Sequence, residues 1–263
     1  MAKFCVLASS SKGNSSWLSC GESSILIDAG ISCRRMCNCI AQLGGEAGKL
    51  SAVLITHEHT DHIGGLLNLL KKTGAKVFAP QAVVDYIIKN GYVPAGANLN
   101  IVTDKPFEVN DIEIRAFATP HDSEASVGYR ITLPDGETVG IATDLGYVTE
   151  EVRNGVMGCR TVLLESNYDS RLLDMGSYPW FLKQRIRSER GHLENSDSAK
   201  FAADLIENGT VRLFLGHLSR ENNNPALALQ TAEEVLRQRK MIRGVDFELE
   251  VADYDLPSKL VRF

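Results

Sequence analysis

The segment from Thr56 to His62 reads Thr-His-Glu-His-Thr-Asp-His and so combines three imidazoles with two carboxylates. Neutral imidazole and carboxylate groups are the usual ligands of zinc and of similar divalent metals. Histidine is scarce in most sequences, so this density indicates a metal site rather than a solvated polar loop. The H-x-H-x-D-H spacing differs from the H-E-x-x-H pair that zinc proteases carry on one helix. The segment therefore predicts a metal-binding loop of another kind.

Rigid elements are predicted on both sides of this loop. Residues 51–55 are apolar and rich in β-branched side chains, which predicts a buried strand. Residues 63–72 place isoleucine and leucine at helical spacing. In an extended turn the two histidines of the H-x-H part point the same way, whereas Asp61 and His62 begin the helix. Four side chains are thus expected to converge on one small volume.

The three histidines outside this loop also stand in polar segments or at predicted strand ends. His121 and His217 each come shortly after a predicted strand, as does Asp144. His192 lies in the polar sequence Gly-His-Leu-Glu-Asn. Strand ends on one rim of a sheet converge in space, so these side chains are expected to meet the loop.

The converging side chains suffice for two cations. The two predicted ligand sets are His57, His59 and His121 for one ion and Asp61, His62 and His217 for the other. Asp144 would bridge the ions. This arrangement leaves an open position for a water or hydroxide, which a catalytic site needs and a structural site lacks.

The bulk properties are those of an ordinary globular protein. A chain of 263 residues without a linker or repeat predicts one α/β domain spanning residues 1–263. The formal net charge of −5 excludes a polycation, so any contact with nucleic acid must be local. No run of 18 apolar residues exists, which argues against a membrane span. The start of the chain resembles a first strand rather than an export signal, so a cytoplasmic protein of undetermined oligomeric state is expected.

Cysteine usage fits the same compartment. The six cysteines are expected to be reduced thiols in a chain of this length without an export signal. Cys33, Cys37 and Cys39 could suggest a metal or iron–sulfur site, but no matching pair of thiols stands elsewhere, so the signal is weak.

The H-x-H-x-D-H loop, followed in order by His121, Asp144 and His217, resembles the metallo-β-lactamase superfamily over nearly the whole chain. The resemblance implies a four-layer αββα metallo-β-lactamase sandwich. It also implies a metal site on the edge where the two sheets meet. The expected cofactors are two divalent metal ions, zinc or manganese.

Finer features resemble the WalJ/YycJ subgroup of this superfamily. They are the serine-rich loop before Asn14, residues 165–169, the Tyr-Pro pair at 178–179, the Gly-His pair at 191–192 and the His-Leu-Ser sequence at 217–219. This likeness implies a 5′-to-3′ exonuclease that acts on double-stranded DNA. One position departs from the pattern, because Glu194 stands where the subgroup has serine. A carboxylate beside a phosphate site is unfavourable unless it is turned away.

The predicted reaction is phosphodiester hydrolysis by a hydroxide that bridges the two ions, with nucleic acid, DNA first, as the substrate. Asp61 would orient the nucleophile. His192, which the metal scheme does not use, would hold a phosphate oxygen or protonate the leaving oxygen. A loop of small residues lets backbone amides approach an anion, so Lys12 and Asn14 are predicted to bind phosphate. Asn167 is predicted to bind substrate as well.

A basic segment at residues 183–190, within a less regular region, favours phosphate because arginine and lysine neutralise backbone charges. The same pattern is also typical of a solvated helix face.

Three alternatives stay open. A thioester hydrolase of the glyoxalase II kind shares the metal motif, and an RNA-processing nuclease shares the chemistry. A catalytically silent regulatory binder of the same fold is disfavoured because every ligand position is filled. Oxygen-reducing relatives carry glutamate where this chain has His59, so hydrolysis is favoured over redox chemistry.

Overall fold

Two seven-stranded sheets form the centre of the protein, whose computed structural model describes residues 1–263. The first sheet has the order β14-β1-β2-β3-β4-β5-β6 and the second β13-β12-β11-β10-β9-β8-β7. The strands of the first sheet are β1 (Lys3–Ala8), β2 (Ser15–Cys20), β3 (Ser23–Ile27), β4 (Ala52–Leu54), β5 (Lys76–Pro80), β6 (Leu99–Val102) and β14 (Val261–Arg262). Those of the second are β7 (Phe107–Val109), β8 (Ile112–Ala118), β9 (Val127–Thr132), β10 (Thr138–Ala142), β11 (Thr161–Glu165), β12 (Arg212–Gly216) and β13 (Glu248–Val251).

Each sheet has an antiparallel half and a parallel half. Strands β3 to β6 run parallel in the first sheet, and β10 to β13 run parallel in the second. Parallel neighbours need long crossover connections, which helices usually provide. The crossover helices are α1 (Cys33–Gln42), α3 (Leu66–Thr73) and α4 (Gln81–Lys89) on the first sheet, and α5 (Glu150–Val156), α8 (Asn195–Glu207) and α9 (Pro225–Gln238) on the second.

Three large apolar clusters separate four layers. The middle cluster joins the inner faces of the two sheets, where Phe4 and Phe214 make an edge-to-face contact with ring centroids 5.9 Å apart. Such aromatic pairs contribute about 0.5–1.5 kcal/mol beyond the area they bury. The other two clusters lie between each sheet and its own crossover helices. This order of helices, sheet, sheet and helices confirms the predicted αββα sandwich.

Strand β8 shows how the side-chain pattern and burial correspond. Its sequence Ile-Glu-Ile-Arg-Ala alternates apolar and polar side chains, and burial alternates in step. The helix predicted at residues 63–72 is instead two helices, α2 (Thr60–Ile63) and α3, with Gly64 and Gly65 between them. A Cβ on Gly65 would lie 2.0 Å from the carbonyl oxygen of Ile31, so this break lets another loop approach closely.

The prediction of a less regular region at residues 177–191 was wrong in part. Helix α7 (Trp180–Arg187) lies there, preceded by α6 (Ser170–Met175), and the two pack around a small cluster of Tyr168, Leu173 and Ile186. Because α7 has only one buried residue, its sequence lacks the apolar periodicity that signals a helix.

The remaining features are local. All six cysteines are free, and the sulfur atoms of Cys33 and Cys37 lie 3.9 Å apart. None of the helices is both long enough and apolar enough to cross a lipid bilayer.

Candidate metal centre and active-site cavity

Three of the strands end in residues whose backbone turns sharply into a common centre. Asp28 follows β3, Asp144 follows β10 and His217 follows β12, and their φ angles are 59°, 62° and 55°. A left-handed backbone costs a non-glycine residue about 1–3 kcal/mol, and such strain concentrates at functional sites. The sheets thus direct these side chains into one volume at the cost of local strain.

The first ligand group consists of His57, His59 and His121. The nearest ring-nitrogen pair, His59 Nδ1 and His121 Nε2, is 3.3 Å apart. One ligand atom from each residue lies within 4.8 Å of the other two, which is close enough for a single cation. This set is the one that the sequence predicted for one ion.

The second ligand group consists of Asp61, His62 and His217. Asp61 Oδ2 lies 3.4 Å from the Nε2 atom of each histidine. These atoms also meet within 4.8 Å, so the structure brings together the second predicted set. Helix α2 presents Asp61 and His62, as expected from their place at a helix start.

Asp144 stands between the two groups. Its Oδ1 lies 3.5 Å from His121 Nε2 in the first group and 3.4 Å from His217 Nε2 in the second. Its Oδ2 lies 3.3 Å from His62 Nε2. This carboxylate therefore faces both groups, as a bridging ligand must.

Two buried polar atoms in this centre lack a partner. His57 Nε2 and Asp144 Oδ2 are buried without a hydrogen bond, the latter despite its short distance to His62. A buried polar atom left unsatisfied costs about 1–3 kcal/mol. Imidazole nitrogens and carboxylate oxygens that converge and lack partners match the donor set of a divalent cation. The residues present fit a metal centre.

Three of the five imidazoles in the ligand groups are oriented by carboxylate or carbonyl partners at Nδ1. The Nδ1–H group of His62 donates to Asp28 Oδ2 at 2.8 Å, and that of His121 donates to the Gly191 carbonyl at 3.1 Å. His217 Nδ1–H donates to Glu165 Oε1 at 2.9 Å. Such partners set the tautomer that leaves Nε2 free for a metal. Asp28 also accepts a hydrogen bond from the Thr56 backbone N–H at 2.8 Å.

Two histidines of the first ligand group, His57 and His121, are held neutral by their surroundings. Burial lowers the pKa of His57 well below its usual value, and neighbouring imidazoles lower it further. Burial also lowers the pKa of His121. Both rings are therefore unprotonated near neutral pH, which is the state that binds metal.

The two histidines of the second ligand group, His62 and His217, are held protonated in the absence of a cation. Burial alone would lower the pKa of His217, but surrounding carboxylates, Asp144 foremost, raise it to about 10. Burial would also lower the pKa of His62, but nearby carboxylates, Asp28 foremost, raise it well above its usual value. A cation that enters this group must displace these protons.

Glu165 is the site residue whose role sequence reasoning missed. Its carboxylate is fully buried and accepts hydrogen bonds from His192 Nδ1 at 2.8 Å and His217 Nδ1 at 2.9 Å. Burial alone would raise the pKa of Glu165, but the two histidines lower it below its usual value. The available signal was its position at the end of β11, on the rim that carries Asp144 and His217.

His192 faces the same cavity as the ligand groups. The Glu165 bond engages its Nδ1 and leaves Nε2 available, and its side chain is 21% exposed. Glu194, the departure from the subgroup pattern, is turned away, because its side chain caps α8 by accepting from the Ser196 backbone at 2.9 Å.

The residues predicted to bind phosphate are placed differently from one another. Asn167 lines the cavity, but its amide donates to the His217 carbonyl at 2.6 Å. Asn14 is buried, and its amide lies 3.3 Å from Asp61 Oδ2, so it supports Asp61. Lys12 is exposed in the same loop as Asn14, and its neighbour Ser11 lines the cavity. The phosphate contacts of these residues stay predictions.

The basic segment is largely occupied inside the protein. Arg185 pairs with Asp122, and Arg187 pairs with Asp174. Arg190 donates to backbone carbonyls, as does Lys183. These contacts hold α7 against the neighbouring segments and pair two of the four cations with carboxylates.

The cavity over the centre has a volume of ≈ 320 Å³. Its floor is formed by Asp144, His192 and four members of the ligand groups, and its wall by the loop before Asn14 and by α7; the four members are His59, Asp61, His121 and His217. Binding pockets for small molecules start at about 300 Å³, so this cavity suits one nucleotide rather than a duplex.

Gly30 offers a test of how tightly the loops around the centre must pack. A Cβ there would lie 1.6 Å from the Asp61 carbonyl oxygen and 2.8 Å from the Asn14 nitrogen. We expect Gly30→Ala to lower the free energy of unfolding by about 3 kcal/mol or more, because backbone must move, and to reduce the bound metal. Denaturant unfolding and metal analysis measure both effects.

Gly48→Ala is the matched control, because a Cβ there meets nothing within 4 Å. It should change the free energy of unfolding by about 0.5 kcal/mol or less. A Gly30→Ala protein with wild-type stability and metal content would contradict this account of the packing.

Comparisons with known proteins agree with this geometry. The profile of the beta-lactamase superfamily domain matches residues 23–217. The exodeoxyribonuclease WalJ of Streptococcus pneumoniae is 36% identical over 261 residues, which cover 98% of this chain and 97% of WalJ. The exodeoxyribonuclease YycJ of Bacillus anthracis is 33% identical over 260 residues, with 98% and 97% covered.

A solved structure supports the fold separately. The metallo-β-lactamase fold protein YhfI of Bacillus subtilis superposes with a TM-score of 0.73 at 17% identity and covers 98% of both chains. The chain therefore belongs to the beta-lactamase superfamily, within the group that contains the exodeoxyribonucleases WalJ and YycJ.

Proposed function

We propose that this protein is a metal-dependent phosphodiesterase that removes nucleotides from the 5′ end of DNA. The observation that carries the proposal is the position of His192. Its Nε2 is available on the same cavity as both ligand groups, while Glu165 holds its Nδ1. A hydrolase of this fold needs the ligand groups in any case, but an additional oriented imidazole suits a poor leaving group such as an alkoxide oxygen. The names of the full-length relatives support the same substrate.

The ligand groups and the bridging Asp144 would hold two divalent ions, zinc or manganese. Bound there, the ions would lower the pKa of an attacking water and offset the negative charge of the phosphate. Asp61 accepts a hydrogen bond from that water and orients it toward phosphorus, and Asn14 holds the Asp61 carboxylate in place at 3.3 Å.

His192 completes the reaction at the departing 3′ oxygen. As the bond from phosphorus to that oxygen breaks, Nε2 of the protonated ring donates a proton to it. Glu165, buried and negatively charged, stabilises the protonated ring through Nδ1 and keeps it in position. The released nucleotide leaves with a 3′ hydroxyl, and the shortened strand keeps a 5′ phosphate.

The size of the cavity favours attack at an end. A volume of ≈ 320 Å³ admits one nucleotide rather than a duplex, and residues of α7 line one wall of the cavity. Because the proposed substrate is cellular DNA, we also propose that the protein acts in the cytoplasm.

An assay with end-labelled substrates tests this function. Metal-loaded protein is incubated with single- and double-stranded DNA labelled at either end, with RNA of the same sequence and with a thioester. We expect a 5′ label to appear at once as a mononucleotide, whereas a 3′ label appears in a descending ladder. Chelator-treated protein and DNA with a blocked 5′ end serve as controls.

Other outcomes assign other functions. Thioester turnover without degradation of any nucleic acid would overturn the proposal in favour of a glyoxalase II-like hydrolase. Degradation confined to RNA would identify an RNA-processing nuclease. Release of the 3′ label first would reverse the proposed polarity.

A further inference from the structure

Two adjacent aromatic side chains stand in solvent at the start of α7. Trp180 is 75% exposed and Phe181 is 70% exposed, although large apolar side chains usually find cover. Met175, at the end of α6, is 85% exposed in the same small unit. Exposed apolar patches of this kind typically mark a binding surface.

The patch is continuous with the wall of the active-site cavity. Tyr178 and Leu182, on either side of the pair in sequence, both line the cavity. Phe181 lies one helical turn before Arg185, another lining residue, and so shares its side of the helix. Phe181 therefore belongs to the outer lip of the cavity, and Trp180 precedes it at the first position of α7.

The protein holds this lip in place but does not cover it. The cluster under α6 and α7 has three buried residues, too few to enclose two more aromatic rings. The ion pairs of Arg185 with Asp122 and of Arg187 with Asp174 fix α7 against the site. With these cations paired, the surface that α7 offers to a substrate is aromatic more than charged.

We propose that Trp180 and Phe181 form a stacking platform for unpaired bases of the strand that enters the cavity. The inference rests on the proposed nuclease function and adds where the substrate is held. Because the cavity admits one nucleotide, the end of a duplex must separate before it enters, and the separated bases lose their stacking partners. Aromatic side chains stack on any base and so replace this contact without selecting a sequence.

Fluorescence tests the contact directly, because the chain has two tryptophans and Trp17 is buried. Metal-loaded wild-type protein is titrated with a phosphorothioate oligothymidylate and with an abasic oligomer of equal length. We expect the oligothymidylate to quench the emission of Trp180 and to shield it from acrylamide, and the abasic oligomer to have little effect. Equal effects of the two oligomers, or no effect of either, would overturn the proposal.

Kinetics test the consequence. In the double variant Trp180→Ala/Phe181→Ala we expect the KM for DNA to rise about tenfold or more, the loss that one stacked base entails. The ratio of DNA hydrolysis to hydrolysis of bis(p-nitrophenyl) phosphate, a small phosphodiester without bases, should fall by the same factor. The conservative variant Trp180→Phe keeps an aromatic ring at this position, so its KM for DNA should stay close to the wild-type value.

The control removes equally exposed apolar side chains elsewhere. Ile242 and Val245 are 59% and 77% exposed and precede β13, at the end of the sheet opposite His217. Ile242→Ala/Val245→Ala should leave the ratio unchanged. If DNA is degraded and both double variants retain the wild-type ratio, the platform is wrong and the nuclease stands. If wild-type protein hydrolyses neither DNA nor the small ester, the proposed function itself fails.

Sedimentation of the variants tests whether a second copy of this chain occupies the patch instead. A wild-type oligomer that dissociates in Trp180→Ala/Phe181→Ala, with DNA kinetics unchanged per protomer, would identify an interface between copies and overturn the platform.

Discussion

Asp61→Ala is expected to abolish turnover, with kcat reduced about 10³-fold or more, while the fold persists. The loss follows because Asp61 both belongs to the second ligand group and orients the attacking water in the proposed reaction. The side chain is 22% exposed and lies at the cavity floor, so its removal opens no void in the apolar core. Initial rates on end-labelled DNA give the loss, and circular dichroism with thermal unfolding follows the fold.

Two further variants sharpen this test. Asp61→Asn keeps the shape of the side chain but not its charge. A loss of kcat in this variant would therefore come from the missing carboxylate and not from an unfilled space. Asp111→Ala removes an exposed carboxylate and should leave kcat unchanged. Full activity in Asp61→Ala would contradict the proposed mechanism, whatever the metal content of the variant.

Cation binding to the second ligand group is expected to depend steeply on pH, whereas binding to the first group should depend on it weakly. His217, with a pKa of about 10, and His62, with its pKa also raised, are protonated at neutral pH without metal. Each displaced proton changes the affinity about tenfold per pH unit, so two protons give up to about 100-fold per unit. His57 is already neutral because burial lowers its pKa, so the first group releases few protons.

The sign of the effect follows from the direction of the shifts. Affinity for the second cation should increase as pH rises toward about 10, because His217 then loses the proton that competes with the metal. Calorimetric titration of metal-free protein with Zn²⁺ between pH 6.5 and 8.5, in buffers of different ionisation enthalpy, counts the protons released at each step.

A second variant changes a residue outside the two ligand groups. Asp28→Asn removes the charge that favours protonation of His62, and asparagine tolerates the left-handed backbone at this position. We expect the pH slope of the second step to fall by about one proton, with the first step unchanged. Equal slopes for both steps in wild-type protein would show that the two groups do not differ in charge state.

The sequence by itself predicted the residues that gather at the candidate metal centre and the sandwich that carries them. The loop from His57 to His62 brings its ligands together through local spacing, so neighbouring positions suffice to predict it. His121, Asp144 and His217 were predictable because each follows a strand, and parallel strands end on a common rim. The alternation in β8 and the apolar runs of the central strands predicted their burial for the same local reason.

The tertiary structure alone decided which groups support those ligands and which face the substrate. Glu165 meets His192 and His217 across 27 and 52 residues of sequence, and no local pattern encodes a hydrogen bond over such separations. The cations of α7 favoured phosphate in the sequence, and the structure pairs Arg185 and Arg187 with carboxylates from other segments. Whether a side chain is paired, buried or exposed depends on what packs against it, and those neighbours are assigned only when the whole chain has folded.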